Sequence, residues 1–109
     1  MRIEVDLNAE PASLGLAEAA DCTRFNVTAR GPGGQAALDA ALQAASAGRM
    51  AAYGDARVAV AAVRSLAAGS VGPQWEDDFA AMLGYARSKG WMDGDGTEIQ
   101  AHVEWDTPR

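Results

Sequence analysis

Cysteine is nearly missing from this chain of 109 residues, where Cys22 stands alone. A lone thiol forms no intrachain disulfide and makes a cysteine-based metal site untenable, which fits a reducing compartment. His102 is likewise the only histidine. Lysine occurs once, at Lys89, and Lys and Arg together number 9 against 15 Asp and Glu. The resulting net charge of −6 leaves no clustered basic surface to neutralise phosphates, so nucleic acid is not an expected partner. No apolar run approaches the ~20 residues that a membrane span requires. Residues 1–6 alternate charged with apolar side chains and lack the apolar centre of a signal peptide. The expectation is a soluble, cytoplasmic protein with no metal and no cofactor.

What is present suits one small globular domain. Hydrophobic residues make up 49% of the chain. Much of that share is alanine, so the core must rest on a few larger side chains. These are Ile3, Val5, Leu7, Phe25, Val27, Leu38, Leu42, Val58, Val60, Val63 and Leu66, together with a helical stripe of Trp75, Phe79, Met82, Leu83 and Ala86.

Residues 1–7 alternate with the period of a half-buried strand. Residues 8–21, with Pro11, Ser13 and Gly15, read as a flexible connection. Residues 22–30 alternate again and read as a second strand antiparallel to the first. Gly31-Pro32-Gly33-Gly34 breaks that strand, and a helix is expected over 35–47, with Gly48 as its cap and Arg49 facing its dipole. Residues 49–53 and 56–60 flank Gly54-Asp55 as a hairpin. The alternative, one continuous helix over 56–68, is disfavoured by the β-branched Val58 and Val60. The helix holding Val63 and Leu66 ends at Gly69. A helix over 74–89 has acidic residues in its first turn, Arg87 and Lys89 in its last, and Gly90-Trp91 placed for a Schellman ending. A last strand covers 98–105. The fold class is α+β: a two-layer sandwich with a mainly antiparallel sheet of four to five strands and about three helices on one face.

No segment carries a reaction signature, and no catalytic residue is assigned. The loop Gly31 to Gln35 lacks the Gly-Lys-Ser/Thr ending of a P-loop. Asp93-Gly94-Asp95-Gly96 resembles part of a calcium loop, but Glu98 occupies the position where the sharp turn needs glycine, so a polar turn is expected. Glu76, Asp77 and Asp78 are explained by the helix dipole. Trp75, Trp91 and Trp105 read as core or rim anchors, with one of them available to an interface. If strands 22–30 and 98–105 are neighbours, Cys22 and His102 share an outer sheet face. Candidate ligand-binding residues are therefore Cys22, Arg24, Arg30, His102 and Glu104.

The run VAAVRSLAAGSVGPQWEDDFAAMLGYARSKGW, followed by IQAHVEW, resembles small uncharacterised α+β proteins of high-GC bacteria. The resemblance covers about the last half of the chain and implies no activity, so no functional residue is carried over. The expected role is a non-catalytic module that binds a protein partner or itself as a homodimer. Such a dimer would use sheet residues near Trp105 or the helix face near Trp75 and Trp91. The alternative is a small-molecule-binding or enzymatic domain with a pocket between sheet and helices or across a dimer.

Overall fold

Alternation at the start of the chain builds β1 (Arg2–Asp6), with Ile3 and Val5 buried and Glu4 exposed. In this computed structural model, residues 1–51, 54–93 and 95–106 are described. The segment expected to be a flexible connection contains a strand, β2 (Ser13–Ala17), which pairs antiparallel with β1. Its alternation is real: Leu14 and Leu16 pack against the core, while Ser13, Gly15 and Ala17 face the other way.

The chain then crosses the start of β1 through residues 18–25. Met1 N donates to Asp21 O (2.9 Å) at this crossing. The next strand, β3 (Asn26–Arg30), therefore starts at the same end as β1 and pairs with it in parallel. This corrects two expectations. Residues 22–25 belong to the crossing and not to the strand, and the pairing with β1 is parallel because β2 intervenes as the hairpin partner.

Helix α1 (Gly34–Ala44) buries Leu38 and Leu42. It ends earlier than expected, since Ser46 adopts a left-handed conformation and Ala47 N donates to Leu42 O (2.9 Å). Gly48 is consequently not the cap. It opens β4 (Gly48–Met50), where a Cβ would lie 2.0 Å from the Arg57 carbonyl oxygen and φ is +148°. Arg49 faces no helix end and instead pairs with Glu98 (3.2 Å). The Asp39 carboxylate of α1 accepts from Met50 N (2.8 Å) and ties helix to strand.

The hairpin reading holds: β4 pairs antiparallel with β5 (Ala56–Ala59), closed by Ala51 N donating to Asp55 O (2.7 Å). Ala52 and Tyr53, part of the first expected run, lie outside the described residues. The helix begins at Val60, as α2 (Val60–Ala67). Helix α3 (Trp75–Ser88) has Glu76, Asp77 and Asp78 in its first turn and Arg87 in its last. It closes as expected, with Gly90 N donating to Arg87 O and Trp91 N to Ala86 O. Strand β6 (Glu98–Asp106) is the longest, pairing in parallel with β3 and antiparallel with β5.

The class is α+β, with three helices among the described residues, but the sheet that these residues form is mixed and has six strands in the order β2-β1-β3-β6-β5-β4. It is not the mainly antiparallel sheet of four to five strands expected. One cluster joins the inward residues Ile3, Val27, Val58 and Ile99 to Leu38, Val63 and Phe79 of the helices. Trp75 stacks on Phe79 with ring centroids 4.6 Å apart, and Trp75 Nε1 donates to Ala19 O (2.6 Å), pinning the crossing to α3. The opposite sheet face carries Arg2, Glu4, Asp6, Asn26, Thr28, Arg30, Gln100, His102 and Glu104 in register. Among the described residues no helix is long and apolar enough to cross a membrane.

Candidate functional site

Two surfaces concentrate the side chains able to contact a partner. The first lies where the 18–25 crossing meets α3. Helical spacing turns Trp75, Phe79, Met82 and Ala86 into the core. Tyr85, one position off that stripe, is left 58% exposed. The Schellman turn brings Trp91, 41% exposed, back against it, edge to face with centroids 5.9 Å apart. Lys89 Nζ stands 5.5 Å from the Tyr85 ring centre. Two adjoining depressions flank this aromatic pair. One, of about 510 Å³, runs along Cys22, Asp78, Ala81 and Met82. The other, of about 320 Å³, runs along Phe25, Met82, Trp91 and Ile99.

Cys22 sits in the first depression, not on the sheet. Partial burial pushes its thiol pKa up, and the carboxylate of Asp78 adds to the effect. A thiol held protonated is a poor nucleophile. Asp21 beside it is held below the usual carboxylate value of 3.8, chiefly because the Thr23 hydroxyl donates to it.

The second surface is a shallow concavity of about 740 Å³ on the outer sheet face, lined in part by Arg2, Glu4, Arg24, His102, Glu104 and Trp105. Arg2 is held by Glu18 (2.7 Å) and Glu4 (3.4 Å). Three of the candidate residues, Arg24, His102 and Glu104, thus meet in one place. Arg30 lines a smaller neighbouring depression, standing in register between Asp6 and Asp106. Cys22 is absent from both, so the structure does not bring a Cys22–His102 pair together.

The remaining candidates resolve into structure. Gly31 lies where a Cβ would come within 2.8 Å of Asn8 N, so this glycine lets the end of β3 approach the end of β1. Asp93 is engaged within its own turn: its carboxylate accepts from Thr97 N (2.8 Å), Thr97 Oγ1 (2.8 Å) and Glu98 N (3.2 Å). Those bonds, the Thr97 hydroxyl first, hold its pKa below 3.8. Gly94 of that turn lies outside the described residues. Among the described residues no cluster of three or more His, Cys, Asp or Glu is arranged to hold a metal ion.

Sequence reasoning missed Tyr85, whose signal was its place three residues after Met82 and just off the apolar stripe. Comparison with family models, with curated proteins and with solved structures found no match to this chain.

Proposed function

We propose that the protein is a non-catalytic interaction module that recognises a protein partner through the groove around Tyr85 and Trp91. The observation that carries this reading is the exposure of these two aromatics, packed edge to face beside an apolar floor of Phe25, Ala81 and Met82. Exposed apolar side chains that adjoin one another and are rimmed by polar residues mark interaction sites, whereas singly scattered ones do not. Tyr and Trp are also the residue types that dominate interface energetics. Asp78, lining one depression, and Arg24, lining the other, provide polar groups able to orient a bound segment.

Selection of displayed random peptides against the folded protein tests this. The enriched sequences should carry apolar anchors. Their affinity should fall by roughly 30-fold, ~2 kcal/mol, in a Tyr85→Ala/Trp91→Ala double variant. Enriched peptides that bind the variant and the parent equally well would refute the assignment.

A second reading has its own support. Arg24, His102 and Glu104 converge on a concavity large enough for a small polar molecule. On this reading a metabolite screen by thermal shift yields a hit whose stabilisation disappears in His102→Ala.

A further inference from the structure

The two edges of the sheet are protected very differently. Strand β4 is three residues long and carries Arg49, and a short, charged edge resists pairing with another chain. Strand β2 is five residues long, and its sequence, Ser13-Leu14-Gly15-Leu16-Ala17, contains no charge and no proline. Among the described residues no strand lies beyond it.

The direction of its backbone groups follows from the pairing. Leu7 N donates to Arg30 O (2.8 Å), so the odd residues of β1 turn their N–H and C=O toward β3 and the even ones toward β2. Ser13, Gly15 and Ala17, opposite Asp6, Glu4 and Arg2, therefore bond to β1. Leu14 and Leu16 direct their N–H and C=O away from the sheet.

The pattern is symmetric about Gly15: small, Leu, Gly, Leu, small. A two-fold axis demands that when residue i meets j, j also meets i. We propose that two copies of this chain join through β2, antiparallel, with the axis at Gly15, to make one continuous sheet. In that register Leu14 faces Leu16 of the second copy and Leu16 faces its Leu14. Each pair exchanges two backbone hydrogen bonds, and the leucine side chains extend the apolar inner layer across the junction. Gly15 faces Gly15 of the second copy in a non-hydrogen-bonded pair, where the strands approach most closely, at about 4.5 Å between Cα atoms. Ser13 faces Ala17. Glu18 falls opposite Ala12 and is already paired with Arg2 (2.7 Å), so no like charges meet. The symmetry of the strand favours a second copy over an unrelated peptide as the occupant. This surface is separate from the Tyr85–Trp91 groove, and the proposal stands independently of it.

Sedimentation of the full chain at micromolar to submillimolar concentration is the test. The parent should approach twice the 11.3 kDa chain mass. Gly15→Lys should remain monomeric and folded, with a cooperative thermal melt whose midpoint, unlike the parent's, does not change with protein concentration. A Cβ at this position meets nothing within 4 Å in the single subunit, and the cross-strand neighbour is Glu4. Two lysines would collide across the axis. A second measurement uses Gly15→Cys in a Cys22→Ser background. Under mild oxidation the introduced thiols should link two copies, since a spacing of about 4.5 Å lies within disulfide reach. Ser13→Cys in the same background should not link, because its symmetry mate lies about 13 Å away. A parent that stays monomeric, or a dimer that survives Gly15→Lys, overturns the proposal. A dimer lost only in Tyr85→Ala/Trp91→Ala also overturns it and assigns self-association to the aromatic groove.

Discussion

Replacing Phe79 with alanine attacks the centre of the core, and its cost can be worked from the surroundings. The Phe79 side chain is fully buried, with relative exposure 0%. Truncating a buried aromatic to alanine costs about 3–5 kcal/mol, depending on how far the site collapses. Collapse is opposed here. Trp75 loses the ring it stacks on at 4.6 Å, a contact worth about 0.5–1.5 kcal/mol beyond area. Arg64 loses the aromatic face 5.3 Å from its guanidinium, although its ion pair with Glu76 (2.6 Å) survives. Trp75 is also tethered to the crossing through Ala19 O, so it cannot tilt into the void without breaking that bond. The expected loss is therefore in the upper range, about 4–5 kcal/mol. A domain of this size has a total stability of about 5–15 kcal/mol, so the variant should sit close to unfolding. Urea melts followed by tryptophan fluorescence should show a lower midpoint at unchanged slope, and the melting temperature should drop by roughly 15–20 °C. A loss below about 1 kcal/mol would refute the placement of this stripe in the core.

Gly48→Ala should cost at least ~2 kcal/mol, because the added methyl strikes the Arg57 carbonyl at a backbone φ of +148°; a neutral effect in denaturant melts would contradict the β4–β5 register. Acid should destabilise the protein. Asp21, Asp39 and Asp93 have folded pKa values lowered by hydrogen bonds from Thr23, Met50 and Thr97 respectively, so near their unfolded value the native state binds fewer protons than the unfolded chain. Their contribution is complete above the unfolded pKa of about 3.9 and is lost as pH falls through the lower folded values. A melting temperature that rises on acidification below about pH 4 would reverse that sign. Duplex DNA should not bind at micromolar protein concentration, given the net charge of −6; a salt-sensitive mobility shift in that range would contradict this.

How much of this was legible in the sequence depended on whether the signal was local. The α3 helix was legible at both ends, because dipole placement of Glu76 to Asp78 and the Gly90-Trp91 ending are written in adjacent residues. The strand faces of 1–7 and 98–105 were legible for the same reason, through their period. Three features were not. Leu14 and Leu16 alternate correctly, but Pro11 and Gly15 masked a strand of only five residues. The sign of the β1–β3 pairing depends on the route of residues 18–25, which no local pattern encodes. Ser46 adopts a left-handed conformation that glycine usually supplies, so Gly48 drew the expected helix end to 47, three residues past Ala44. At the surface, Arg24, His102 and Glu104 were legible as a set because two of them share a strand face, whereas Cys22 was misplaced by starting the strand at 22.

The 18–25 crossing links the hidden parts of the fold to its exposed surfaces. By carrying the chain from β2 over the start of β1, it makes β3 a parallel neighbour and leaves β2 outermost. The free edge at Leu14 and Leu16 is thus a consequence of the crossing. The same segment supplies Cys22, Thr23 and Phe25 to the walls beside Tyr85. Its hold on α3 is the Trp75 indole bond to Ala19. Loosening Trp75 should therefore disturb the aromatic groove before it disturbs the β2 edge, because β2 is held directly by the backbone of β1 across residues 13–17. The two surfaces share an origin in topology but not a common support, so one can be removed by substitution while the other is left in place.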